Sequence, residues 1–226
     1  MNKSEARQLM MKYLIPRIEK YGFKERGRGT EFEVIRKTKN GEDSIGGGFT
    51  DYNPIQQIVY GTGKSDKRIL DILFSVQSKG IQLSPPVNKK TVTTTVFSKG
   101  KMPLMETEAD VEKCVGIMLD FLEGTAFPTL DRFEDIREID KIINGPEPWE
   151  TDWQMPYSFG AFFNFTRLII AKLSGNNKYD ALIDFTYDTL ERRSKENGQN
   201  FVYDRNDLTK PLPALIQHLS TLKPLY

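Results

Sequence analysis

The spacing of apolar residues changes character twice along this chain, and that alternation limits the folds open to it. Residues 4 to 21 place Leu9, Met10, Tyr13, Leu14, Ile18 and Tyr21 three and four apart, the period of an amphipathic helix, with Ser4 positioned as its cap and Gly22 as its stop. From there to about residue 100, short segments rich in β-branched and aromatic residues follow one another at 30–36, 44–52, 55–61, 69–77 and 91–97, separated by turn residues. Lys39-Asn40-Gly41 is a hairpin signal, because Asn-Gly adopts the positive φ values of tight turns. After Pro103 the helical period returns. One run starts at Thr107 and Asp110 and ends at Gly124; others cover 133–143, 157–173, 180–193 and 208–222. The pattern predicts an α+β fold, with an N-terminal helix on an antiparallel sheet of about four or five strands, followed by an α-helical C-terminal half. The corresponding division is 1–103 for helix plus sheet and 104–226 for the helical part, packed as two parts or one continuous domain.

Two places in the predicted sheet break the simple alternation. Gly46-Gly47-Gly48 falls inside a strand, where glycine marks a bulge, a bend or a close backbone approach. The run ILDILFSVQ at 69–77 is short enough to fit a buried strand or a helix, and it is assigned here as strand.

Composition narrows the chemistry. The 226 residues hold one histidine, His218, and one cysteine, Cys114, so most of the groups used for proton transfer near neutral pH and for transition-metal binding are missing. A lone cysteine forms no internal disulfide, which fits a reducing, cytoplasmic compartment. The N-terminus lacks the apolar core of a signal peptide, and the greasiest stretch, 159–170, is interrupted by Asn164 and Arg167 and falls short of a membrane span. A net charge of +1 provides no field that would steer nucleic acid.

Several motifs compete with plainer explanations. GTGKS at 61–65 resembles the end of a phosphate-binding loop, but Ile58 stands where the first glycine is needed, so a polar turn between strands is the simpler reading. Lys64 and Ser65 are kept as an anion-binding alternative, since SDKRIL can open a helix. The basic 24–28 step, with Lys24, Arg26 and Arg28, is diluted by Glu25, Glu31 and Glu33. Asp180, Asp184 and Asp188 share a helix face and read as solvated, as do Asp131, Asp135 and Glu138. The 157–173 helix is apolar nearly all round, so Asn164 and Arg167 form a polar stripe suited to an internal ion pair or to an anionic ligand. Trp149 and Trp153, with Tyr157 just beyond, gather in one loop as partner-binding anchors or as pegs holding the loop to the body. Cys114 is expected to pack as a small hydrophobe.

YLIPRIEKYGFKERGRGTEFEVIR, followed by FLEGTAFPTLDRFEDIREID, resembles a bacterial domain-of-unknown-function family that opens with a helix and a Gly-Phe-Lys step into a strand. Gly22, Phe23, Lys24 and Phe32, then Phe127, Pro128, Leu130 and Asp131, carry the resemblance, which covers patches of the first 145 residues and implies no catalytic residues.

Together these readings lead to an expectation of a cytoplasmic, non-catalytic module that binds another protein in an accessory or immunity-like role, with Trp149, Trp153 and Tyr157 as contacts. No cofactor, metal, membrane or nucleic-acid partner is expected. The alternatives are a small-anion or nucleotide site at Lys64, Ser65, Asn164, Arg167 or the 24–28 step, and a carboxylate-dependent hydrolase.

Overall fold

A computed structural model describes residues 1–26, 31–52, 55–79, 83, 86–88, 91–96, 102–145, 149, 157–158, 162–197 and 211–226. The chain forms two compact units, each assembled from separate stretches of sequence. Unit 1 contains Met1–Ser65, Thr94–Glu134 and Pro156–Ser158; unit 2 contains Asp66–Thr93, Asp135–Met155 and Phe159–Tyr226. A cut at residue 103 does not follow this division. The helices from 108 to 132 belong with the sheet, and the 69–77 run belongs with the helical unit.

Unit 1 opens with α1 (Lys3–Ile18), capped by Asn2 in a reciprocal box with Glu5 rather than by Ser4. A 3₁₀ turn ends it at Gly22, whose φ of 86° suits a residue without a Cβ. The sheet contains β1 (Lys24–Glu25), β2 (Phe32–Thr38), β3 (Gly41–Asp51), β4 (Gln56–Asp66), β5 (Thr94–Val96), β6 (Leu104–Met105) and β7 (Tyr157–Ser158). Its order is β1-β2-β3-β4-β5-β7, with β6 also paired to β4, and it is antiparallel as expected. The β2–β3 turn is Lys39-Asn40, with Gly41 already paired to Thr38 as the first residue of β3. GTGKS lies inside β4, where Gly63 and Lys64 pair with Thr95 and Thr94, and so is not a turn.

Alternating residues of β2, β3 and the first part of β4 point inward to one core. Phe32, Val34, Ile45, Ile58 and Val96 pack there with Met10, Leu14 and Ile18 of α1 and with Val111, Cys114, Val115 and Met118 of α3 (Glu108–Phe121). Thr107 and Asp110 form the α3 capping box. Gly124 does not stop this helix. A π-helical stretch, Leu122–Ala126, carries the chain into α4 (Phe127–Arg132). The wider turn accommodates Pro128, which can donate no backbone bond, and delivers Phe127 to Phe23 in a stacked pair with centroids 4.9 Å apart.

Unit 2 is helical. The 69–77 run is the greater part of α2 (Lys67–Ser78), not a strand: the Asp66 side chain accepts from the Arg68 amide, and Ile69, Leu70, Ile72, Leu73 and Val76 fall on one buried side. A cap followed by i, i+3, i+4, i+7 burial outweighs the β-branched content of the run. The others are α5 (Ile136–Ile143), capped by Asp135, α6 (Phe163–Ser174), α7 (Tyr179–Asn197) and α8 (Leu212–Ser220). All residues of α6 from Phe163 to Ala171 are buried, and α2, α5, α7 and α8 pack around it. Tyr157 and Ser158, expected to begin this helix, form β7 of unit 1. Among the described residues no helix is long and apolar enough to cross a membrane.

The glycine triplet divides by strand parity. A Cβ on Gly47 would lie 2.1 Å from the Val59 carbonyl oxygen and 2.8 Å from the Tyr60 Cα, whereas at Gly46 and Gly48 the nearest atoms are 3.6 and 3.7 Å away. Gly47→Ala is therefore expected to destabilise the protein by about 3 kcal/mol through overpacking against backbone, while Gly46→Ala and Gly48→Ala leave the urea midpoint unchanged or raise it.

Candidate functional site

The outward side of β2, β3 and β4 carries an open hollow of unit 1. Strand parity sends Phe32 and Val34, Ile45 and Phe49, and Ile58 to the core, so Glu33, Gly46, Gly48, Val59 and Gly61 face outward. A hollow of about 890 Å³ lies here, floored by Gly46–Gly48 and Gly61, with Lys3, Glu31 and Thr50 among its lining residues. Val59 is 57% exposed, and Leu104, whose strand neighbour is Gln57, is 50% exposed. A Cβ on Gly61 would meet nothing within 4 Å. Packing therefore does not require glycine at 46, 48 or 61, although each glycine in a strand costs about 0.5–1 kcal/mol relative to alanine.

A buried ion network occupies the inward side of the same strands. Lys64 on β4 is fully buried, and its Nζ lies 2.9 Å from Oδ1 of the equally buried Asp43 on β3, with a second ion pair to Glu134 in the turn after α4. Arg36 on β2, register partner of Asp43, donates to its Oδ2 from Nη2 at 2.6 Å and reaches Asp131 at 2.7 Å. Burial alone would push Glu134 upward, but the hydrogen bond and charge of Lys64 and the Asn40 amide hold it below the usual carboxylate range. Asp43 moves the other way, because burial raises it against the pull of Lys64 and Arg36.

Several of the other sequence candidates are engaged within their own units, while Lys24 is exposed on β1. Lys64 faces two carboxylates, and Ser65 is buried at the end of β4. In the 24–28 step, Arg26 donates to Glu33 at 2.8 Å and also pairs with Glu42; Arg28 lies outside the described residues. Arg167 is buried in unit 2, and its Nη2 donates to the Ile143 carbonyl at 3.2 Å, neutralising the negative end of α5. Its guanidinium also lies over the rings of Phe163 and Phe185 at 4.6 and 5.3 Å. Asn164 is buried in the same helix. The Trp149 indole N–H donates to the Asn144 carbonyl at 3.0 Å, and its ring meets Phe185 edge-on at 5.4 Å, the geometry of a peg. Trp153 lies outside the described residues, and for Tyr157 only the strand pairing with Val96 is described.

Asp180, Asp184 and Asp188 are exposed along α7, and no group of three metal-ligating side chains converges among the described residues. Cys114 is buried, which pushes its thiol upward. The residues missed from sequence are Asp43, Glu134, Val59 and Leu104. For Asp43 a signal existed: it shares strand parity with Ile45, so an alternating strand containing Ile45 must bury it. Comparison with protein-family models, curated proteins and solved structures finds no match.

Lys64→Met leaves the Asp43 carboxylate buried beside a methyl group and is expected to cost about 3–5 kcal/mol in chemical denaturation. Glu134→Gln should cost about 2–3 kcal/mol at neutral pH. A carboxyl held low when folded stabilises above its unfolded pKa and loses that contribution as pH falls through the folded value. The gap between wild type and Glu134→Gln should therefore narrow as denaturation is repeated at increasingly acid pH. In unit 2, Trp149→Ala is expected to cost about 3 kcal/mol, the loss for an aromatic peg, read as a lowered melting temperature.

Proposed function

We propose that this protein is a cytoplasmic, non-catalytic module that binds another protein through the outward side of β2–β4, in an accessory or immunity-like role. The observation that carries this reading is the set of outward glycines at 46, 48 and 61, which have room for a methyl group that they do not carry. Glycine in a strand marks a place where another backbone comes close. The flanking Val59 and Leu104 offer apolar area to such a partner. The surface suits an extended or flat polypeptide segment that lies against bare strand, with apolar side chains reaching Val59 and Leu104. The engagement of Lys64, Arg26 and Arg167 by groups of their own units further supports a protein partner over a small anion.

The test uses a photo-crosslinking amino acid at position 59, with the same probe at exposed Ile117 on α3 as the control. A discrete crosslinked polypeptide is expected at 59, absent at 117, and lost when Gly46, Gly48 and Gly61 are all changed to Ala. That triple variant should melt at or above the wild-type temperature, since Gly→Ala at compatible positions stabilises by about 0.4–1 kcal/mol each, so loss of the crosslink cannot be assigned to unfolding. Equal crosslinking at both positions, or a crosslink unaffected by the triple variant, would overturn the proposal.

A further inference from the structure

The β2–β3 turn carries an Asn-Gly step, Asn40-Gly41, tied to the ion network by one residue. The Asn40 side-chain Nδ2 donates to the Glu134 carbonyl at 3.1 Å and to Glu134 Oε2 at 3.0 Å, while the Asn40 backbone N–H donates to that same Oε2 at 3.3 Å. Glu134 also receives Lys64. The chain thus places its most cyclisation-prone kind of dipeptide at the rim of its buried charges. Glycine has no Cβ to shield its amide, and asparagine is thermolabile for the same chemistry.

We propose that Asn40 is a deamidation site kept slow by Glu134, and that its conversion releases the turn from the ion network. In the reaction the Gly41 nitrogen attacks Asn40 Cγ, a C–N bond forms, the amide nitrogen leaves as ammonia with the proton shed by Gly41, and a succinimide results. Water then adds across one ring carbonyl and reopens it, to aspartate or to isoaspartate. Cyclisation requires the side chain to swing from Glu134 toward the Gly41 nitrogen, so the two Nδ2 bonds oppose the motion that starts the reaction. The product carries a carboxylate where Nδ2 had donated, so acceptor faces acceptor at Glu134 and both bonds are lost. The new negative charge also stands beside one that Lys64 already balances.

Another of the chain's three Asn-Gly steps provides an internal reference. Asn144-Gly145 closes α5 in unit 2, where Asn144 Nδ2 donates to Asp140 Oδ1 at 2.6 Å and to the Arg167 carbonyl at 3.3 Å, with no part played by Glu134. The experiment incubates folded full-length wild type, Glu134→Ala and Lys64→Met at mildly alkaline pH, then reads aspartate and isoaspartate at positions 40 and 144 by peptide mass spectrometry. Glu134→Ala should speed conversion at Asn40 several-fold and leave Asn144 at its wild-type rate. Lys64→Met disturbs the network but retains the Glu134 acceptors, so it should accelerate Asn40 far less. Three results would overturn the proposal: an unchanged rate at Asn40 in Glu134→Ala, equal acceleration of Asn40 and Asn144, or Lys64→Met matching Glu134→Ala. An Asn40→Asp variant should reproduce the lowered urea midpoint of the aged protein; a midpoint equal to wild type would overturn the release of the turn.

Discussion

The ammonium of Lys64, buried between Asp43 and Glu134, is the interaction on which the arrangement of unit 1 depends. A lysine without solvent is tolerable only where carboxylates surround it, and removing either partner leaves a charge in a medium that solvates it poorly. The pairing joins β3, β4 and the turn after α4, and Arg36 adds β2 and Asp131 to the same set. A buried ion pair of this kind adds little net stability compared with an apolar core of the same shape. Its contribution is positional: only one register of β2, β3 and β4 brings Arg36, Asp43 and Lys64 together. Asn40 fastens the hairpin tip to the same carboxylate, so the turn end of β2–β3 is fixed by Glu134 as well.

Unit 2 solves a related problem with a different acceptor. Arg167 lies on a helix buried along most of its length, and its Nη2 donates to the last carbonyl of α5, with aromatic rings on its faces. Helix-end carbonyls carry partial negative charge and lack intrahelical donors, so a guanidinium there satisfies both deficits. Asn144 continues the arrangement by donating to Asp140 and to the Arg167 carbonyl, and Trp149 donates to the Asn144 carbonyl. The loop tryptophan and the central arginine, separate features in the sequence, thus belong to one polar seam between α5 and α6.

Much of the fold was legible because hydrophobic period is a local property. The opening helix, the antiparallel sheet and the helical second half all follow from spacing. The 69–77 run was misread because a short apolar run does not reveal its period; the deciding residue was Asp66, just outside it, as the cap. Gly124 was read as a stop, whereas Pro128 four residues on made a wider turn the compatible path for a continuing helix. Lys64 drew attention through a motif resemblance, yet its partners Asp43 and Glu134 stand 21 and 70 residues away. No spacing rule spans such separations. The triple glycine was legible as a close backbone approach, which holds for Gly47 alone; which neighbours faced outward required the register.

That register connects the charged interior to the bare exterior. Side chains alternate strictly along a strand, so a slip of one residue exchanges the two faces of the sheet. In β3 such a slip would turn Asp43, Ile45 and Phe49 outward and bring Gly46 and Gly48 against the core, leaving Lys64 without its β3 carboxylate. The cost of that exchange falls on the inward face, in unpaired charge and lost apolar burial, and hardly at all on the outward one. The outward positions are consequently fixed in place by residues they do not touch. A surface held this way can lose its side chains at 46, 48 and 61 without risk to the pairing of its own strands, and each glycine there gives up a small stability while leaving the strand backbone uncovered.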